Sequence, residues 1–278
     1  MSAPRVGFVG LGNIGKPMAL RLAASPMQLA VHDLAPGPVA ELAAAGAEVA
    51  GSVAELAAQV EVLGVMVRDD GQARAVLDEA LTTARAGLVV VVHSTVAPGT
   101  PAELAAIAEP HGVRVLDAPV SGGPMGAEEG TLAVLVGGAA DAVEAARPAL
   151  EALGSKVVHA GPIGAGTRFK LARNLMHFVA FTAATEAQRL AEAAGLDLRE
   201  LGEVVRHTDA ITGGPGAVMY RESTAPIARD DFWHGVFGHV ADLGEKDLGF
   251  AIELAEELGV EVPLAELAHV RLRKGLGL

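Results

Sequence analysis

Short aliphatic runs alternate with alanine-rich stretches through the first half of the chain. The runs occupy 5–9, 28–32, 62–67, 88–93, 114–117 and 132–136, and each is bounded by Gly, Pro, Ser or Asp. Most are apolar at nearly every position, which suits strands covered on both faces. Between them, 16–24, 39–45, 53–58, 73–84 and 103–109 have the composition of helices. Strict alternation of strand and helix predicts a doubly wound parallel sheet with right-handed crossovers. One more helix is expected over 141–153 and a last strand over 156–159.

The texture changes after Gly161-Pro162-Ile163-Gly164-Ala165-Gly166. From 167 to 194 there is no succession of turn formers, and Phe169, Leu171, Leu175, Met176, Phe178, Val179 and Phe181 fall on almost every face. That pattern predicts a long buried helix. Gly195 is its expected stop, and Asp197 to Glu200 has the form of a capping box that starts the next helix. A helix over 240–258 would close at Gly259, and Pro263 suits the first turn of a final one. The expected architecture is α/β over 1–162, followed by an all-helical domain over 163–278.

Composition narrows the class. Of 278 residues, 21 are Lys or Arg and 34 are Asp or Glu, a net charge of −13, and 51% are hydrophobic. So apolar a chain is not disordered. The absence of cysteine excludes a disulfide framework, a zinc finger and a thiolate nucleophile. The acidic surplus argues against a nucleic-acid partner, which needs a basic face. No apolar run approaches the roughly 18–20 residues that span a bilayer; the least charged stretch, 86–102, is broken by His93, Pro98, Gly99 and Pro101. The first strand begins at Arg5, leaving no room for a signal peptide. A cytoplasmic protein with no membrane contact is expected.

Gly10-Leu11-Gly12-Asn13-Ile14-Gly15 follows the first predicted strand directly and opens the first predicted helix. In that context the three glycines allow a tight turn, close approach of the backbone to a pyrophosphate, and close packing of helix on strand. The helix N-terminus offers free N–H groups to phosphate. The N-terminal domain therefore reads as a Rossmann-type dinucleotide fold. Asp33, at the end of the second strand, is placed to accept hydrogen bonds from ribose hydroxyls, and no Lys or Arg follows in 34–37 to meet an additional phosphate. NAD is favoured over NADP on that ground; the other reading of Asp33 is an ordinary turn residue. Val67 ends the third predicted strand and Arg68 follows it, at the edge where ligands sit in such folds. Arg68 is placed to touch the cofactor, or else to pair with Asp69 or Asp70 in solvent.

Two further clusters carry chemistry. The 117–131 segment is long and rich in Gly and Pro, which marks a functional loop. Within it, Ser121 supplies a hydroxyl, and Gly122 and Gly123 expose N–H groups suited to a carboxylate. Lys170 and Asn174 stand four apart on the long helix, hence on one face. A buried lysine has a lowered pKa and can exchange protons. Spacing alone leaves the alternative of a lysine that reaches out to solvent.

These segments together resemble the β-hydroxyacid dehydrogenase family, which includes 3-hydroxyisobutyrate dehydrogenase and relatives of 6-phosphogluconate dehydrogenase. Gly7 to Met18 resembles its cofactor signature, Asp117 to Gly130 its substrate loop, Gly164 to Asn174 its G-x-G-x-x-x-K-x-x-x-N stretch, and Lys246-Asp247-Leu248 its late K-D-L motif. The motifs fall in family order. The resemblance implies that Lys170 is the general acid or base and that Asn174 binds substrate and orients it. It implies that Ser121, Gly122 and Gly123 hold the substrate carboxylate. It also places Thr95 near the nicotinamide, Lys246 at the cofactor and Asp247 near the substrate. The implied activity is hydride transfer between NAD and a small 3-hydroxy acid or its semialdehyde. The chain departs from the family pattern near Arg68, where a proline is usual, and at His239, where a phenylalanine usually lines the substrate end. It also lacks the family's Gly/Asp-rich tail.

Two alternatives stand beside this reading: an imine reductase of related fold, which generally lacks the lysine, and a non-catalytic dinucleotide-binding protein. The remaining histidines show no ligand spacing, so no metal is expected. The apolar 167–194 helix, with little else to cover it, predicts a homodimer or homotetramer.

Overall fold

The computed structural model describes residues 4–219 and 224–278. Among them, nine strands form one sheet: β1 (Arg5–Val9), β2 (Gln28–His32), β3 (Glu48–Val49), β4 (Val62–Val65), β5 (Val89–Val92), β6 (Arg114–Asp117), β7 (Val120–Ser121), β8 (Ala133–Gly137) and β9 (Lys156–Gly161). The order is β3-β2-β1-β4-β5-β6-β8-β7, and β9 also pairs with β8. The helices of this half are α1 (Gly15–Ala23), α2 (Pro36–Ala44), α3 (Val53–Ala57), α4 (Asp70–Leu81), α5 (Thr100–Ala108), α6 (Gly123–Glu129) and α7 (Ala140–Leu153). Then come α8 (Ala165–Ala193), α9 (Leu198–Thr212), α10 (Phe232–Leu258) and α11 (Pro263–Gly275).

Side chains alternate across the sheet and divide its core into two layers. Val6 and Phe8 of β1 face Met18 and Leu22 of α1 and Val143 and Leu150 of α7. Val9 of β1 and Val65 of β4 face the opposite layer, with Leu56 of α3, Leu77 of α4 and Leu104 of α5. Both faces are thus dry, which is why the strands read as unbroken aliphatic runs.

The expected doubly wound parallel sheet is observed, with one reversal beyond β6. β1 to β6 are parallel in the order observed, but β8 runs antiparallel to β6 and β7. Between β7 and β8 the connection, residues 122–132, holds only the short helix α6, which is short of the crossover of a dozen or more residues that a parallel strand would need. The loop expected over 117–131 accordingly contains a strand and a helix. Pairing aligns His32, Val9, Val65, Val92, Asp117 and Gly137 in one row across six strands. That row is the carboxyl rim of the parallel strands.

By contacts the chain divides into two compact units between Asn174 and Leu175, inside α8. The reason is local: the first turns of α8 pack against β6 and β8. In the second unit, the buried Glu186 carboxylate accepts from the N–H groups of Leu264 (2.9 Å) and Ala265 (3.1 Å) and so caps α11. Asp197 caps α9 through the N–H groups of Arg199 and Glu200. A small core joins Phe237, Ala241 and Leu276, with Trp233 stacked on Phe237. The expectation that the long helix is buried fails in the single chain: Leu175 is 70% exposed, and Phe169, Phe178, Val179 and Phe181 are about half exposed. Among the described residues, no helix is long and apolar enough to cross a membrane.

His93, just past β5, is buried and stacks on Phe8 with ring centroids 6.0 Å apart. Its Nδ1 lies 3.0 Å from the Ala118 carbonyl oxygen, which requires the proton on Nδ1. Burial pushes its pKa down to about 4. The folded state therefore resists a proton that the unfolded chain accepts near pH 6.5, so stability is retained above that pH and lost as pH falls toward 4. Between pH 7 and pH 5 this group should remove about 2 kcal/mol. Urea unfolding of wild type and His93→Asn at both pH values checks this; an undiminished acid loss in the variant would refute the assignment.

Candidate active site

A crevice of about 720 Å³ opens at the carboxyl ends of β1, β2 and β4. Its walls include Gly10, Gly12, Asn13, Ile14, Gly15, Asp33, Val67 and Arg68. The glycine loop takes its shape from contacts that exclude side chains. Gly10 has φ +93°, and a Cβ there would stand 2.0 Å from the Met66 carbonyl oxygen. A Cβ on Gly15 would stand 1.9 Å from the Gly10 carbonyl oxygen. At Gly12 a Cβ would meet nothing within 4 Å, so that glycine is not demanded by the protein's own packing. It leaves room for something that approaches the backbone. The α1 N-terminus beyond it has no side-chain cap and no acid in its first turn, which leaves its positive dipole end free for an anion.

Asp33 closes the other side. One carboxylate oxygen accepts from the Leu11 N–H at 2.6 Å and the other from the Ala35 N–H at 2.7 Å. Each oxygen keeps a further lone pair. Leu34 beside it is 95% exposed and no cation stands within 34–37. An uncapped helix end, an open glycine and a free-facing carboxylate fit a dinucleotide.

Other residues hold the rim in place. Ser94 Oγ accepts from the Val67 N–H and donates to the Val67 carbonyl, both at 2.8 Å. Asp69 caps α4 through the Gln72 N–H, and Asp70 accepts from the Ala97 N–H and from the Thr100 hydroxyl. Neither pairs with Arg68 among the described residues; its N–H donates to Gln72 Oε1 at 3.0 Å, and its side chain is exposed. Leu11 and Thr95 do not line the crevice: the Leu11 side chain is in the core, and Thr95 is exposed past β5.

The second cluster is built on Asp117, which is fully buried. Its carboxylate accepts from the Gly164 N–H at 2.7 Å and the Thr167 N–H at 2.6 Å. This pins the start of α8 to the end of β6. Gly166 makes the approach possible, since a Cβ there would stand 2.1 Å from the Leu135 carbonyl oxygen. One turn on, Lys170 is only 8% exposed. Burial first, and then the charge of Arg173, push its pKa below the ordinary lysine value. Lys170 makes no ion pair among the described residues. Asn174 Oδ1 accepts from Arg173 at 3.4 Å. Thr167 is fully buried and its hydroxyl has no partner.

Ser121 ends β7 opposite Ala133, and Gly122 (φ +136°) and Gly123 (φ +64°) start α6. His239, Lys246 and Asp247 lie on α10 in the second unit. All three are exposed, and Lys246 pairs with Asp247 at 3.1 Å. Among the described residues, no group of three or more His, Asp or Glu side chains is placed to hold a metal ion. Asp117 is the functional residue that sequence reasoning missed as an anchor: its partners lie 47 and 50 positions away, and no local pattern links them.

Residues 5–161 match the family model described as the NAD binding domain of 6-phosphogluconate dehydrogenase. Residues 164–276 match that described as NAD-binding of NADP-dependent 3-hydroxyisobutyrate dehydrogenase. The chain belongs to the β-hydroxyacid dehydrogenase family. An uncharacterised oxidoreductase of Mycobacterium tuberculosis is 46% identical over 99% of this chain and 94% of its own. The NAD-dependent L-serine dehydrogenase of Pseudomonas aeruginosa is 37% identical over 95% of this chain and 89% of its own. A crystal structure from Mycobacterium avium, of a protein described as an oxidoreductase, superposes with a TM-score of 0.96 at 45% identity and covers 99% of each chain. As a β-hydroxyacid dehydrogenase family member, this protein is an oxidoreductase with an NAD(P)-binding domain, in a family that acts on small hydroxy acids.

Two sets of variants test this geometry. Gly15→Ala should cost about 3 kcal/mol or more, because its Cβ overlaps backbone. Gly12→Ala should leave thermal stability within about 0.5 kcal/mol yet weaken dinucleotide binding at least about tenfold, as read by fluorescence titration. Asp117→Asn should destabilise by about 3 kcal/mol in urea, since an amide oxygen serves one N–H while its NH2 opposes the other.

Proposed function

We propose that this enzyme oxidises a small 3-hydroxy acid to the semialdehyde, or runs the reverse reduction, with NAD rather than NADP and with Lys170 as general acid and base. One observation carries the reading: a lysine buried without a counter-ion, on a helix that a buried carboxylate fixes at the carboxyl rim of the sheet. An unpaired buried lysine is rare outside functional sites.

The glycine loop and the α1 N-terminus would hold the pyrophosphate, with Val67, Arg68 and Thr95 farther along the rim. Asp33 would take the ribose hydroxyls, and its charge, with no cation in 34–37, disfavours a 2′-phosphate. When bound, NAD supplies the hydride acceptor or donor. Lys170 Nζ takes the hydroxyl proton during oxidation and returns it to the oxygen during reduction. Its lowered pKa makes the neutral amine available at lower pH than a free lysine allows. As an ammonium it stabilises negative charge that grows on oxygen only near the transition state. Asn174 would orient the lysine and the substrate. Ser121, Gly122 and Gly123 would anchor the carboxylate, which fixes the reacting carbon. The family pattern gives Lys246 and Asp247 supporting roles at the cofactor and substrate, and His239 would stand at the substrate end in place of its phenylalanine. The division of labour proposed is a dinucleotide-binding domain over 1–162 and a substrate and dimerisation domain over 163–278. The half-exposed aromatic residues of α8 support a second copy of the chain as partner. The L-serine dehydrogenase relative supports both the cofactor and the substrate class.

Lys170→Ala should lower kcat at least about a thousandfold while the dissociation constant for NAD changes less than about threefold. In wild type, the oxidation rate should rise with pH, with a midpoint below the ordinary lysine value of 10.5. Absorbance of reduced cofactor, with NAD and NADP against a panel of hydroxy acids, measures both. Near wild-type turnover by the variant would refute the lysine assignment.

A further inference from the structure

The first turns of α8 carry more positive charge than the proposed proton transfer requires. Arg168, Lys170 and Arg173 follow one another with no acid in the helix before Glu186. The chain has 34 acidic residues against 21 basic ones, so counter-ions are not scarce. Yet among the described residues neither Lys170 nor Arg173 pairs with a carboxylate. Like charges three apart on a helix disfavour each other. The buried acid at this end, Asp117, is occupied with backbone N–H groups.

Arg173 is half-buried, unlike the exposed Arg168. It shares a helix face with Lys170 and lies close enough to depress that lysine's pKa. One guanidinium nitrogen donates to Asn174 Oδ1 at 3.4 Å, a long bond that holds the group beside the two residues of the proposed chemistry. A guanidinium has five N–H donors in a rigid fork shaped for a carboxylate or a phosphate. Most of them are unspent here.

We infer that Arg173 is a specificity-determining residue that binds a second anionic group on the substrate, so the preferred 3-hydroxy acid is a dianion with a distal carboxylate or phosphate. The inference rests on the proposed reaction at Lys170 for the position of the substrate. It goes beyond that reading by naming the side group. The mechanism uses the proximal carboxylate at Ser121, Gly122 and Gly123, and the hydroxyl at Lys170, which leaves the Arg173 fork for the remaining end. With the distal anion present, the excess charge on this face is neutralised in the complex. With a methyl in its place, a half-buried cation stays unpaired.

The test uses three 3-hydroxy acids with the same reacting carbon and proximal carboxylate. Their side groups are a methyl, a carboxymethyl and a phosphomethyl. Binding to the NAD-loaded protein is measured by calorimetry, and turnover by absorbance, for wild type, Arg173→Gln and Arg173→Lys. In wild type at least one dianion should bind about tenfold or more tightly than the methyl compound, and the two dianions separate carboxylate from phosphate. Arg173→Gln should raise KM for that dianion at least about tenfold more than for the methyl compound. Arg173→Lys should restore part of the difference, because the charge survives but the fork does not. Equal binding of all three acids by wild type overturns the inference, and so does an equal loss on all three in Arg173→Gln. If Lys170→Ala turns over normally while the dianion preference at Arg173 persists, the proton-transfer assignment fails and this one stands.

Discussion

A carboxylate with no access to water holds the start of α8 to the carboxyl rim of the sheet. Asp117 ends the last parallel strand of β1–β6, in the same row of the sheet as His32 and Val9. It spends both oxygens on the start of α8. Burying a charge is costly unless hydrogen bonds replace its water, and two N–H groups at a helix N-terminus are well suited to do so. The anchor sets where α8 begins, and hence where Lys170 stands one turn later. Glu186 repeats the device in the second unit, where it caps α11. In both cases a strand or helix grips a helix much later in the chain by its dipole rather than by apolar contact alone.

Much of the first unit was legible because its signals are local. The glycine loop is a sequence of neighbours, and its demand for Gly10 and Gly15 follows from backbone atoms a few ångströms away. The aliphatic runs located the main strands because dry faces leave no polar alternation to misread. The two-residue strands β3 and β7 and the helix α6 were not legible, since segments so short carry no period. The reversal of β8 depends on the length of its connection. The grip of Asp117 on residues 47 and 50 positions away has no local trace. The α8 pattern misled for a different reason: apolar residues on every face predict burial, but in the single chain several of them stand half exposed or more. The α10 residues His239, Lys246 and Asp247 entered only through family likeness, as their sequence reads as an ordinary charged face.

Net charge conceals the distribution that matters. A chain at −13 should repel anionic ligands at long range, yet both clusters on the rim also present positive groups, beside Asp33 in one and Asp117 in the other. The crevice offers a bare helix N-terminus, and α8 offers unpaired cations. At physiological ionic strength the Debye length is about 8 Å, so the surface acids are screened from a ligand already inside. Local groups then decide affinity.

The bond from the Leu11 N–H to Asp33 has a consequence for redesign. Exchanging nucleotide preference in this fold ordinarily means replacing the acid with a neutral or basic residue. In this protein the same acid braces the glycine turn through the Leu11 N–H, so the exchange would slacken that turn as well. A successful switch would have to supply a new acceptor for that amide, and selectivity and rigidity would need to be engineered together.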